Sequence, residues 1–180
     1  MKKIVVCLLL SLSLSYLYSS DTVSLITTLD TTIVDALWRK HVALTASAEI
    51  RSSMGLGLKT PITVVIDRSG GSEALIETSL KLVTLPWTKG PFISLTLAHV
   101  AFFIGQTAPE ERLHFLSEVE FGYSWEFLPS WFVEPSLVYR DPSHSYPDSF
   151  SYINSFIPTY SRLRLSLAIG YRCLSFSRHT

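Results

Sequence analysis

The chain has 180 residues with 15 basic and 15 acidic side chains, and this zero net charge gives no electrostatic support for nucleic-acid binding. A hydrophobic fraction of 47%, an aromatic fraction of 12% and a mean hydropathy of +0.30 suit one domain with a large apolar surface. After residue 20, no run approaches the roughly 20 apolar residues of a membrane-spanning helix. The best stretch, Pro91 to Gly105, is shorter and contains His99.

The amino terminus has the layout of a secretory signal peptide. Lys2 and Lys3 precede a long apolar run, and small serines follow it. We therefore predict a signal peptide at residues 1–20, with its cleavage point left open, and a mature domain at residues 21–180. An uncleaved anchor is the alternative. Cleavage would leave Cys173 as the one cysteine of the mature chain, so no intramolecular disulfide would form.

The mature sequence alternates with a period of two in eight successive stretches. One parity is apolar, aromatic or hydroxylated, and the other carries the charges, as where Leu163 and Leu165 alternate with Arg164. The first stretch also fits a helical spacing, but its β-branched residues favour a strand. The eight predicted strands, in chain order, are 21–34, 41–51, 54–66, 73–85, 91–104, 112–127, 131–140 and 160–176.

Connections between these strands alternate in length. The links after the second, fourth and sixth strands are short, and the other links are longer, the longest being Asp141–Thr159. With an even number of strands, both termini lie on the side of the short turns, which is periplasmic in bacterial outer-membrane barrels. Trp87, Trp125 and Trp131 lie beside two of these turns, where we expect an interfacial aromatic belt.

These patterns predict an all-β fold, an eight-stranded antiparallel up-and-down transmembrane β-barrel in the bacterial outer membrane. A secreted β-sandwich or lipocalin-like barrel also alternates, but the charge density of the polar parity and the run of large aromatics favour a membrane barrel. The chain resembles the outer membrane protein W and X families in its signal segment, its strand count, its alternation of short and long loops and its final strand 160–176. The carboxy-terminal aromatic of those families is missing. Phe176 could replace it, but its parity would require a bulge.

Eight strands enclose a lumen that side chains can fill or that can hold one small ligand. Inward charges must therefore pair or be hydrated. We expect Glu134 to pair with an arginine of the neighbouring last strand. The predicted lumen-lining residues are Glu73, Glu77, Lys81, Glu118, Glu120, Glu134, Arg162, Arg164 and Arg172, and the other inward charges are Glu49, Arg51, Lys59, Glu126 and Arg140.

Our first functional hypothesis is a narrow conduit or carrier for small apolar compounds, as resemblance to the protein W family implies. Phe102, Phe103, Phe115 and Tyr139 could line its mouth, although such residues also form plain lipid-facing girdles. Lipid of the outer membrane and a small hydrophobic ligand would then be the partners.

The alternative is a surface-exposed interaction or adhesion protein, as resemblance to the protein X family implies. Its candidate partner loop is Asp141–Thr159, where Tyr146, Phe150, Tyr152 and Phe156 are set among serines and prolines. A host or surface partner would bind these aromatics. They could equally fold back onto the barrel rim.

Enzymatic function has little support in the sequence. His114 and Ser117 have opposite parities and do not converge, and His99 falls on the lipid parity of its predicted strand. The five histidines lack metal-ligand spacing and there is no cysteine pair. We predict no catalytic residue, no cofactor and no metal.

Overall fold

A computed structural model describes residues 22–30, 41–67, 74–85, 89–104, 113–157 and 160–177. The predicted signal peptide, Glu73 and Trp87 lie outside these ranges. The described elements, in chain order, are β1 (Thr22–Asp30), β2 (His41–Ser52), β3 (Leu56–Asp67), β4 (Ala74–Thr84), β5 (Gly90–Ile104), β6 (Leu113–Phe115), β7 (Glu118–Leu128), β8 (Trp131–Arg140), α1 (Pro147–Phe156) and β9 (Leu163–Ser177).

The strands form a closed antiparallel barrel. Consecutive strands pair with each other, apart from β6 and β7, and β1 also pairs with β9, so the described strands close into a ring. β6 and β7 both pair with β5 and form one barrel strand interrupted at Leu116 and Ser117, which gives eight barrel strands. The predicted eight-stranded antiparallel barrel is therefore confirmed.

The barrel has two distinct ends. The short-turn end contains Thr22, Ser177 and the turn where Leu85 N donates to Gly55 O at 2.7 Å. Gly55 has φ +81°, and a Cβ at this position would lie 2.0 Å from the backbone carbonyl oxygen of Leu85. The tight turn therefore requires glycine. The opposite end, the loop end, carries α1 and the longer connections.

A bulge in β5 reverses the predicted facing of half of that strand. Leu80 pairs with Ala98 and Lys81 with Thr96, so Leu97 is the extra residue. His99, expected on the lipid parity, is instead buried inside the barrel, and Phe103 is buried on the same side. The prediction for His99 was wrong because a single inserted residue flips every later side chain.

A second bulge lies in β9, where Leu174 pairs with Leu25 and Arg172 with Ile26, leaving Cys173 unpaired. Leu174 and Phe176 consequently face outward and are exposed. The sequence indicated that Phe176 could join the outer face only through a bulge, and the structure contains one.

Large apolar side chains cover the outer face of the barrel. Along β9, Leu163, Leu165, Leu167, Ile169 and Tyr171 are 40–52% exposed, while Arg164 and Ala168 between them are buried. The same division recurs on the other strands, so the outer surface is apolar and the charged residues point inward. The core of the molecule is therefore polar at mid-height.

The connection 141–159, expected to be a loop, contains the helix α1. Pro147 occupies its first turn together with Asp148, which suits the amino-terminal end of a helix dipole. Within the described ranges, no helix combines the length and the apolar character needed to cross a bilayer.

Candidate functional site in the barrel lumen

Near the short-turn end, four buried charges form a neutral group. Arg51 contacts Glu49 at 2.6 Å and Glu134 at 3.2 Å, and Lys59 Nζ lies 3.6 Å from Glu134. The Arg51 guanidinium also lies 5.8 Å from the centre of the Phe132 ring. The predicted pairing of Glu134 with an arginine of the last strand was wrong, because β2 and β3 supply its cations across the lumen.

A second group lies closer to the loop end. Lys81 Nζ contacts Glu118 at 2.8 Å and Glu120 at 3.4 Å, and Ser136 Oγ donates to Glu120 at 2.7 Å. Arg140 Nε contacts Glu118 at 3.1 Å. These charges come from three different barrel strands, so the contacts join the walls of the barrel across its interior.

Glu77 connects this second group to the loop end. It receives Arg140 Nη2 at 3.5 Å, and His99 Nε2 lies 3.8 Å away. Tyr160 also donates its hydroxyl to Glu77, and the Arg140 guanidinium lies 4.0 Å from the centre of the Tyr160 ring. Burial raises the pKa of the Tyr160 phenol well above its ordinary value, so the hydroxyl stays protonated and donates.

A third ion pair joins the first and last strands. Arg164 Nη2 contacts Asp30 Oδ2 at 2.7 Å and Thr45 Oγ1 at 3.1 Å, and Ser166 also donates to Asp30. Asp30 was not among the predicted lumen residues, although it ends β1 on the inward parity. Its signal in the sequence was an acidic side chain on the polar parity inside the first predicted strand, 21–34.

The interior charges nearly balance. A buried ionised group is stabilised only when opposite charge or hydrogen bonds surround it, and here each named cation contacts at least one carboxylate. His99 lies 3.8 Å from Glu77. Within the described barrel strands, the buried cations are Arg51, Lys59, Lys81, Arg140 and Arg164, and the buried carboxylates are Asp30, Glu49, Glu77, Glu118, Glu120 and Glu134; Asp141, directly after β8, is also buried.

Little space remains between these groups. A cavity of about 40 Å³ lies among Lys59, Lys81, Glu120 and Arg164, which is room for about two or three water molecules. The lumen at this height is thus filled by side chains, as the width of an eight-stranded barrel allows.

An apolar plug closes the loop end. It consists of Ile153, Ile157 and Tyr160, each at most 3% exposed. The barrel supplies a surrounding mouth cluster of six inward apolar residues on five of its eight strands. The members of this mouth cluster are Ala43, Val65, Leu75, Ala101, Phe103 and Leu116.

Aromatic contacts fix the plug to the rim. Tyr152 stacks on His114 with ring centres 4.6 Å apart and meets Phe103 edge-on at 6.2 Å. Arg162 lies over the Phe150 ring at 4.9 Å. Of the aromatics proposed to bind a partner, Phe150 and Tyr152 are therefore partly buried against the barrel.

The remaining predicted residues are distributed between the two ends. Tyr146 is 38% exposed at the start of the helix; Phe156 ends the helix, and its side chain lies outside the described set. Arg162, expected in the lumen, lies at the mouth before β9 begins. Trp125 and Trp131 are exposed near the short-turn end, where Trp131 packs on Tyr171.

The proposed conduit mouth does not form as one surface. Phe103 packs inside against Tyr152, whereas Phe115 is 47% exposed on the outer face. Phe102 and Tyr139 are half-buried and have the outward parity of their strands.

The described residues contain no group of three or more His, Cys, Asp or Glu side chains placed to hold a metal ion. Comparisons of the chain with protein-family models, with curated proteins and with solved structures found no match.

Proposed function

We propose that the chain is an integral β-barrel protein of the bacterial outer membrane, with both termini periplasmic and a lumen closed to flux. The observation that carries this proposal is the division of the closed ring into an apolar outer face and an ion-paired interior. Water would penalise such a continuous apolar surface, whereas hydrocarbon would accommodate it.

Strand dimensions support the same proposal. A transmembrane β-strand needs about 9–11 residues, and the uninterrupted barrel strands contain between 9 and 15. Closure of the ring satisfies the backbone groups that a sheet edge would expose to lipid.

Closure of the lumen distinguishes this proposal from a conduit. A small apolar compound would have to leave the mouth cluster and pass eleven buried Asp, Glu, Lys and Arg side chains of the described strands, where its contacts would replace ion pairs. The filled interior therefore favours a structural or surface role over transport through the barrel axis.

Gel mobility in detergent tests the membrane proposal. We expect the unheated protein to migrate faster than the boiled protein, and to insert into lipid vesicles. Solubility as a monomer without detergent would contradict the proposal, because it would mean that the outer face of the protein is stable in contact with water.

Planar-bilayer recordings test closure separately. We expect purified, inserted protein to give no steady conductance steps, while an open bacterial porin measured in parallel conducts. Regular conductance steps from the intact chain would favour the conduit hypothesis instead.

A second candidate function, surface interaction, has one specific observation in its favour. Tyr146 is exposed while its backbone N–H donates to Asp141 Oδ1 at 3.2 Å, so the segment before α1 presents an aromatic in a fixed position. Adhesion of cells that carry Tyr146→Ala tests it. If neither Tyr146→Ala nor deletion of residues 143–157 changes adhesion, a role of this surface in adhesion is excluded.

A further inference from the structure

The short-turn end of the lumen opens into a polar vestibule. This cavity, of about 380 Å³, lies within the size range of small-molecule sites. Ile26 and Leu85 form part of its inner wall, and Arg51, Lys89, Glu126 and Arg172 bring the charges. None of these residues belongs to the plug or to the mouth cluster.

Arg172 supplies the excess positive charge of the vestibule. Lys89 and Glu126 form an ion pair of 2.7 Å, and the buried group around Arg51 is neutral as a whole. Among the described residues, no ion pair or side-chain hydrogen bond holds the Arg172 guanidinium, although the guanidinium has a longer-range electrostatic interaction with Glu126. An arginine in this situation can offer its planar edge to an incoming anion.

Arg51 offers a second donor edge to the same cavity. Its Nε and Nη2 atoms are bound to Glu49 and Glu134, while no partner within the described part of the chain holds Nη1. The side chain is 8% exposed and lines the vestibule, so its position is fixed before any ligand arrives.

Hydroxyl groups complete the lining. Five serine and threonine residues contribute, among them Ser24 on β1 and Ser175 on β9, which are directly paired across the strands. Hydroxyls both donate and accept hydrogen bonds, so they suit the oxygens of a polar ligand.

We infer that this vestibule is a binding site for a small oxyanion, a phosphate or a carboxylate, held between Arg172 and the free edge of Arg51. The arrangement combines fixed guanidinium donors, hydroxyls and a local excess of positive charge in a cavity open to one side of the barrel. The inference depends on the shape and charges of this end, and it stands apart from the proposed surface role of the loop end.

Nuclear magnetic resonance titration of the full chain, folded in nonionic detergent, tests the inference. Inorganic phosphate and, separately, malonate are added up to about 50 mM at constant ionic strength, with chloride as the balancing anion. We expect saturable shifts of the backbone amides of Ser24, Arg172 and Ser175 with at least one of the two probes. The comparison of the probes identifies the preferred anion.

Three variants test which charged side chains determine the affinity for the anion. Arg172→Gln should weaken binding about tenfold or more, because it removes a charge-assisted donor. Glu126→Gln should tighten binding, since it removes the one carboxylate among the described residues of the lining and frees Lys89. Arg162→Gln, which removes an arginine at the opposite end, is the matched control and should leave the affinity unchanged.

Unsaturable shifts, shifts that equal those caused by chloride, or equal affinities for Arg172→Gln and the intact chain would overturn the inference. Faster migration of the unheated variants on a gel establishes that each one is folded. If Arg172→Gln fails this check, Lys89→Gln, whose side chain is 67% exposed, serves in its place with the same expected weakening.

Discussion

Glu134 joins two cations of different strands within the lumen. Its carboxylate receives Arg51 at 3.2 Å and Lys59 at 3.6 Å, and its side chain is 2% exposed. Neutralising one member of such a group leaves an uncompensated, largely buried charge. The stability of the barrel therefore depends on the charge balance of each group more than on any single ion pair.

We predict that Glu134→Gln lowers the free energy of unfolding by about 3–5 kcal/mol, the usual effect of removing one partner of a buried pair. Urea unfolding in lipid vesicles measures it. Adding Lys59→Met restores neutrality and should recover part of the loss. Strict additivity of the two substitutions would contradict the coupling.

Two glycines make room for aromatic rings that fill the short-turn end of the lumen. A Cβ at Gly170 would lie 2.1 Å from Cζ of Phe132, and one at Gly122 would lie 2.4 Å from Cζ of Phe92. The rings occupy the space that a side chain on the neighbouring strand would need, so these glycines are required by close packing.

Gly170→Ala should therefore destabilise the barrel by about 1–3 kcal/mol, as overpacking does. The double variant Gly170→Ala with Phe132→Leu should be less destabilised than the sum of the single variants, because the smaller side chain vacates that space. Thermal unfolding followed by gel mobility checks both. A neutral effect of Gly170→Ala would mean that the ring moves aside freely.

At the scale of elements, α1 and the residues after it supply the plug, whose inward side chains are separated by four and then three positions in the sequence. Ile153, Ile157 and Tyr160 carry this spacing, and Pro147 with Asp148 marks the helix start. These signals were present in the sequence, but the serines and prolines around them favoured a loop. The alternative that the aromatics fold back onto the rim agrees with the contacts of Tyr152 and Phe150.

Thiol accessibility can test the plug. In a chain with both native cysteines replaced by serine, Ala101→Cys places a thiol at a fully buried position of the mouth cluster. We expect a water-soluble maleimide to label it slowly in the intact chain and rapidly after deletion of residues 143–157. Equal labelling rates in the two folded proteins would mean that the plug does not cover the mouth.

The alternation of side chains predicted the strands well, because facing follows directly from a period of two. It failed at β5, where the bulge at Leu97 moved His99 and Phe103 to the interior. An inserted residue changes backbone pairing without leaving a mark in composition. The partners of Glu134 also escaped prediction, since contacts across the lumen depend on strand stagger and not on sequence order.

At the scale of the whole molecule, the effect of a surface substitution depends on whether water or hydrocarbon surrounds the outer face. Ile169 and Leu174 are 52% and 50% exposed on β9, the first near the middle of the strand and the second near the short-turn end. In water, a charge at either position would be tolerated, because both lie on the surface. In a bilayer, the two positions differ in depth.

We predict that Ile169→Arg lowers the free energy of unfolding in vesicles by about 2–4 kcal/mol, and Leu174→Arg by about 0–1 kcal/mol. Unfolding by denaturant in vesicles of one lipid composition compares them. Equal, negligible effects would contradict burial of this face in hydrocarbon.

The β1–β9 seam links the two extremes of the chain. Thr27 and Cys173, which meet across it, are 146 positions apart. Without β9, both β1 and β8 would have an unpaired edge, and hydrocarbon would leave the backbone groups of such an edge unsatisfied. Ring closure therefore requires the last strand, and we expect a chain truncated before Leu163 to form no stable barrel.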